Sequence, residues 1–385
     1  MKRHFKICEV PPRVSPQDWS DWHWQMRKSL QSPQDFAAYK VQLTEDLIRA
    51  FESRSFQVRS TPYYAQVALQ MAAKSALHKI LVPDIAELTS HGQQMLDPLA
   101  EKKHSPVSRI IHRYTDRVLF LVTDTCSVYC RYCTRKHFTA QGEAGASSQE
   151  YSEALEYIRS HPEVREVILS GGDPLTLSDE RLEGVMGDLR QIDSVEIIRV
   201  ATRMPVVCPM RITDDLVNIF KAHKPVFMMT HFNHPEELTS QAAIALEKLV
   251  DNGVPTFNQM VLLNGINNHS AIVRELSYRL LLLRVKPYYM FHCDPSEGSA
   301  HFRTSVENSL QIQRELWGRT SGLAMPNLSL DIPGGGGKVG LTPNFEISHR
   351  NHFRTYVGWD GLQGVYESPP ESEVLTPPDA DLYQQ

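Results

Sequence analysis

No run in this chain approaches the ~18 consecutive apolar residues that crossing a bilayer requires. The leucine run at residues 280–283 is one apolar patch on an amphipathic segment. Residues 1–15 are mixed and polar and lack the apolar core of a secretory signal. Basic charge is not in excess either: 40 Lys and Arg stand against 45 Asp and Glu, a formal net charge of −5. Nucleic acid or an anionic membrane would find no global field to attract it. Cysteine is scarce, six in 385 residues, too few for a disulfide scaffold. These absences leave a cytoplasmic protein acting on a small molecule as the expectation.

The composition is otherwise that of a globular protein, 41% hydrophobic and 22% charged, long enough for two or three domains. Residues 1–105 read as helical and irregular. Helix-spaced apolar positions occur at 44–53 and 64–80, and Trp19, Trp22 and Trp24 read as packing anchors. From residue 117 onward, short β-rich runs alternate with amphipathic stretches of helical length. Strands are predicted at 118–123, 166–169, 195–201, 226–230, 256–263, 287–293 and 328–332. Helices fit between them at 148–160, 179–191, 214–222, 240–252, 271–284 and 306–317.

Parallel strands need such crossovers, and six or seven units can curl into a barrel. The predicted fold class is α/β: a partial (β/α)6-type TIM barrel with a helical N-terminal region and a small C-terminal extension. A flat doubly wound sheet is the alternative. The expected boundaries are 1–105 (helical), 106–333 (barrel), 334–368 (C-terminal segment) and 369–385, a flexible tail rich in Pro, Asp and Glu. Short strands are predicted at 345–348 and 355–367, with a bend at 358–361. The notable polar residues follow or end predicted strands: Cys126, Gly171-Gly172-Asp173, Thr202-Arg203, His231, Asp294 and Asp331. In βα barrels that rim is where sites are built.

Three of the six cysteines fall within eight residues, as Cys126-x3-Cys130-x2-Cys133. Three thiolates on one loop can hold a 4Fe–4S cube and leave one iron open for chemistry. Structural zinc, with His137 as fourth ligand, is the competing reading, though zinc sites more often use paired C-x2-C units.

The second unusual feature is Asp331-Ile-Pro-Gly-Gly-Gly-Gly-Lys338. A phosphate-loop lysine is followed by Ser or Thr, but Lys338 precedes Val339, which argues against a nucleotide triphosphate site. Four glycines would instead bring an amine close to a ligand, and a lysine amine can form a Schiff base with an aldehyde cofactor. Pyridoxal phosphate also needs a cationic phosphate clamp. Arg113 and Arg117 are the candidates.

The cysteine loop after a first barrel strand resembles the radical S-adenosylmethionine superfamily. The resemblance implies S-adenosylmethionine on the open iron, Tyr132 beside its adenine, and Gly171, Gly172 and Asp173 near its amino group. Cysteine triplet and glycine–lysine run together resemble the lysine 2,3-aminomutase family, over about residues 19–367. Stretches 112–120, 230–235, 258–259 and 301–304 match as well. This implies Lys338 as the pyridoxal phosphate lysine, Arg135 on the substrate carboxylate, and Asp294 with Asp331 on its ε-ammonium. His231 and Gln259 are expected to contact S-adenosylmethionine or its neighbours. Implied partners are lysine, an electron donor such as flavodoxin or ferredoxin, and further copies in a homo-oligomer. An arginine 2,3-aminomutase is the nearest alternative, and a radical lyase without pyridoxal phosphate a further one. Some relatives carry C-terminal zinc cysteines. Here no cysteine follows Cys293, and His269 stands at the upstream zinc position. Phe291-His292, beside the expected pocket, also departs from that pattern.

Overall fold

The computed structural model describes residues 5–371 except 54–55, 72–74, 90–91 and 140–144, together with residues 377 and 380. Its body is a nine-stranded curled sheet in simple sequence order. The strands are β1 (Ile110–Tyr114), β2 (Arg117–Thr123), β3 (Glu166–Gly171), β4 (Ile197–Ala201), β5 (Val226–Thr230), β6 (Thr256–Leu262), β7 (Lys286–His292), β8 (Asn327–Ile332) and β9 (Gly337–Gly340). From β2 to β8 every pairing is parallel, so six crossovers carry the chain over one face. Helices Ser148–Arg159, Asp179–Arg190, Asp214–Ala222, Ser240–Asp251, Ser270–Leu282 and Val306–Leu316 occupy them. The expected partial barrel is observed.

Helix starts follow capping rules. Ser147, Ser178, Thr213, Thr239 and Ser305 each accept a first-turn N–H with the side chain. His269 does the same: its Nδ1 accepts from Ala271 N–H at 3.1 Å. The core lies between strands and helices, in residues such as Val118, Phe120, Val167, Leu169, Leu182, Leu246 and Leu276, each at most 1% exposed.

Two edge strands were not predicted. β1 pairs antiparallel with β2, and β9 antiparallel with β8. The edges approach each other where Lys338 N–H donates to Tyr114 Oη at 3.1 Å. The N-terminal region is helical as expected, with Glu45–Glu52 amphipathic. The predicted helix at 64–80 breaks into an α-turn (Pro62–Ala65), a π-helical stretch (Gln66–Met71) and a 3₁₀ turn (Ala76–Ile80), with 72–74 outside the described residues. β10 (Glu346–Arg350), β11 (Phe353–Val357) and β12 (Gln363–Glu367) form a separate antiparallel sheet. Most of the expected tail lies outside the described residues.

Candidate active site

Cys126, Cys130 and Cys133 lie on the loop leaving β2, and all are free thiols. The N-terminal region holds this loop from outside. Tyr129 N–H donates to Arg59 O, Arg131 N–H donates to Ile80 O, and the buried Arg131 guanidinium pairs with Glu87. From inside the barrel the loop is stitched to β3: Gly172 N–H donates to Thr123 O at 2.6 Å and Asp173 N–H to Thr125 O at 2.8 Å. A Cβ on Gly171 would lie 2.3 Å from Thr123 O, and one on Gly172 2.2 Å from Thr125 O. The close approach these glycines allow is thus to the entry of the cysteine loop itself. Gly172→Ala should push that entry outward, lower stability by about 1–3 kcal/mol and lower iron uptake. Thermal melting and iron analysis after anaerobic reconstitution check both.

Burial, then the charge of Asp173 and the two other thiols, raises Cys126 well above the usual thiol range. Burial, then Cys130, raises Cys133. These two thiols, when bare, stay protonated, whereas a cationic iron centre displaces such protons. Among the described residues, one group of His, Cys, Asp or Glu has its ligand atoms all within 4.8 Å: Asp97, Glu101 and His137. The three sulfurs are spread wider than that. A single tetrahedral zinc with bonds of about 2.3 Å would hold them about 3.8 Å apart. His137, the candidate fourth zinc ligand, lies instead with Nε2 3.9 Å from the Glu101 carboxylate. The donor set fits a 4Fe–4S cube and does not fit one ion.

Beside the loop, Tyr132 Oη and His231 Nε2 are 2.8 Å apart, their rings stacked at 5.8 Å. Asn233 Nδ2 donates to Tyr132 Oη at 2.5 Å. Burial, then the Arg203 charge, lowers His231 to about 3, so its imidazole is neutral. Asp173 is committed to the scaffold: Oδ1 accepts from Thr202 Oγ1 at 2.6 Å and Leu175 N–H at 3.0 Å, and Oδ2 from Arg203 N–H at 2.7 Å.

A cavity of about 350 Å³ opens inside the barrel, lined among others by Arg113, Arg117, Arg135, Gln259, Asp331 and Lys338. The β8–β9 register sets Asp331 directly opposite Lys338, and Lys338 Nζ donates to Asp331 Oδ2 at 3.0 Å. The same ammonium lies 4.3 Å from the Phe291 ring centroid and 5.4 Å from that of Tyr289. Arg113 Nη2 is buried with no hydrogen-bond partner among the described residues, 3.7 Å from where a Cβ on Gly337 would be. Arg117 stacks 4.2 Å over Tyr114 and donates to Asp116 at 2.6 Å. An unsatisfied guanidinium beside a glycine turn and an amine in one cavity suit the phosphate and aldehyde of pyridoxal phosphate.

Arg135 donates through Nε to both Glu101 oxygens (2.8 and 3.1 Å) and through Nη1 to Ser170 Oγ at 2.9 Å. Its Nη2 has no hydrogen bond among the described residues and is left for a ligand. Burial, then Asp331, raises Asp294 from 3.8 to about 7, with Glu101 adding and Lys338 and Arg303 opposing. That displacement is on the order of 4 kcal/mol against its charge.

Sequence reasoning gave no role to Glu101, which sits in no recognisable pattern, nor to Ser170, which adjoins Gly171-Gly172-Asp173, nor to Asn233, within the matching stretch 230–235. It also missed His104, whose buried Nε2 has no partner among the described residues and lies beside Gly335. Phe291 faces the cavity, but His292 turns away, its Nδ1 3.0 Å from Ser309 Oγ.

Known proteins match this arrangement. The family model described as lysine-2,3-aminomutase matches residues 313–385, and the radical SAM superfamily model matches residues 120–275. The L-lysine 2,3-aminomutase of Fusobacterium nucleatum is 42% identical, covering 93% of this chain and 84% of its own. The chain belongs to the lysine 2,3-aminomutase family. The L-lysine 2,3-aminomutase of Clostridium subterminale is 41% identical over 92% of this chain and 86% of its own. The glutamate 2,3-aminomutase of Clostridioides difficile is 36% identical over 97% and 88%. Relatives are therefore named for substrates whose side chains carry opposite charges, so substrate choice rests on the pocket.

Proposed function

We propose that this chain is an L-lysine 2,3-aminomutase, moving the α-amino group of lysine to Cβ to give β-lysine. The observation that carries the reading is the carboxylate pair Asp294 and Asp331. Asp331 lines the cavity, Asp294 is half-buried close enough to feel its charge, and a cation relieves their repulsion. The Lys338 ammonium, which rests on Asp331 at the end of the same four-carbon chain a lysine substrate would offer, supports that reading. A glutamate side chain would add a further negative charge to Asp294, Asp331 and Glu101.

When bound, the cluster with S-adenosylmethionine supplies the radical that removes and returns a β-hydrogen, and pyridoxal phosphate supplies a conjugated carrier for the migrating nitrogen. Cys126, Cys130 and Cys133 hold the cluster. Tyr132 and His231 would lie beside the adenine, and the Gly171-Gly172 turn, which Asp173 holds in place through its bonds to Thr202, Leu175 and Arg203, beside the amino group. Lys338 tethers pyridoxal phosphate, and Arg113 and Arg117 clamp its phosphate. Arg135 takes the substrate carboxylate on Nη2 while Glu101 and Ser170 keep it from turning. Gln259, on the cavity wall, orients what lies between the two halves. Held at both ends, the substrate presents one carbon to the radical, and the barrel walls keep water out.

Six free thiols suit the reducing cytoplasm, where we place the chain. Among the described residues no helix is long and apolar enough to cross a membrane. Exposed Ile347, Phe353, Trp359, Val365 and Tyr366 on and beside the second sheet support a homo-oligomer. A one-electron donor such as flavodoxin or ferredoxin feeds the cluster.

Anaerobic turnover of lysine, arginine and glutamate in parallel, with products identified by mass spectrometry, tests the reading. A β-amino product from lysine in preference to the others is expected; conversion of glutamate alone would refute it. A pH dependence follows from Asp294. The substrate ammonium stays charged up to about pH 10, so affinity depends on ionising the aspartate. KM for lysine should rise as pH falls below about 7, and Asp294→Asn should give a high KM that does not vary over that range.

A further inference from the structure

Arg203 follows β4, 73 residues beyond the cysteine loop, yet its Nη1 donates to Cys130 Sγ at 2.8 Å. Its Nη2 donates to Glu237 Oε1 and to Tyr64 Oη, both at 2.8 Å. The Arg203 side chain is 8% exposed and that of Glu237 0%. Burying a guanidinium is unfavourable unless its donors are used; Nη1 and Nη2 are, while Nε is buried with no partner among the described residues, and the charge acts strongly where the surroundings are poorly polarisable. It also cannot lose its proton. Its backbone N–H is fixed on Asp173, so the contact does not depend on a mobile side chain alone.

We propose that Arg203 is a positioning residue that sets the reduction potential of the iron–sulfur cluster, with Glu237 as its counterweight. The inference rests on the cluster assignment made above. A reduced cluster carries one more negative charge, and a cation donating a hydrogen bond to a ligand sulfur stabilises that form. Arg203 therefore makes the cluster easier to reduce. Glu237, buried on the far side of the same guanidinium, offsets part of that effect. The Glu237 carboxylate also accepts from Asn233 N–H at 2.6 Å, and Asn233 bonds Tyr132, so the same charge pair reaches the ring expected beside adenine.

The two charges predict shifts of opposite sign, which a loss of packing would not produce. Wild type, Arg203→Gln, Arg203→Lys and Glu237→Gln are reconstituted anaerobically, assayed for iron, and titrated with dithionite while the reduced cluster is followed by electron paramagnetic resonance. Arg203→Gln should shift the midpoint to lower potential, Arg203→Lys less so, and Glu237→Gln to higher potential. Unchanged potentials at full iron content overturn the proposal. So does failure of both glutamine variants to load iron, which would make the pair a scaffold. Failure of the wild-type chain to assemble a 4Fe–4S cluster would instead refute the cluster assignment itself.

Discussion

Replacing Lys338 with alanine is expected to lower aminomutase turnover by roughly 10⁴-fold or more, the scale seen when a covalently acting side chain is removed. The visible absorbance of covalently held pyridoxal phosphate should vanish from the purified protein. Among the described residues the other basic side chains lining the cavity are arginines and His104, so no second lysine amine is there to take over the tether. Arg113 and Arg117 would still face a phosphate, so the cofactor should bind weakly and wash out on gel filtration. Iron content and deoxyadenosine formation should stay near wild type, since among the described residues Lys338 bonds Tyr114 and Asp331 and lies against Tyr289 and Phe291, none of them on the cysteine loop. A Lys338→Ala protein that keeps both the absorbance and the turnover would remove this lysine from the reaction.

The second large effect concerns the thiols. Cys126→Ala should leave the chain unable to hold an intact cluster, and reductive cleavage of S-adenosylmethionine to deoxyadenosine should fall to background. The remaining cysteines cannot substitute: Cys8, Cys208 and Cys293 are 1%, 0% and 2% exposed and pack in the core. Pyridoxal phosphate absorbance should persist, because Lys338 and Arg113 are untouched. Loss of one signal with retention of the other, in opposite directions for the two variants, would establish two separable half-sites. Joint loss in either variant would mean that the halves fold together.

The parallel strands were legible because each is a short apolar run ended by a polar rim residue, and the helices because their apolar spacing and capping residues agree. β9 was not legible: Gly337-Lys-Val-Gly340 has half glycine and is a strand only because β8 offers it an edge. β1 carries two buried residues in five, too little for a pattern. The site was readable where chemistry repeats in sequence, in three cysteines and in glycines before a lysine. Partners chosen by tertiary approach were hidden. Glu101 lies in a polar stretch without period, yet it holds Arg135, and only folding brings Arg203 to Cys130. The glycines of β3 were found, but what they approach could not be read from the chain.

The β8–β9 hairpin fastens an acid and an amine to opposite rungs of one ladder. In a ladder of this kind, displacement by a single rung turns a side chain to the other face. The four-residue connection at 333–336 therefore acts as a ruler. A chain with one glycine more or fewer there would keep its barrel and its cysteines while aiming the amine away from the cavity, so the site depends on the length of that turn as much as on the lysine itself.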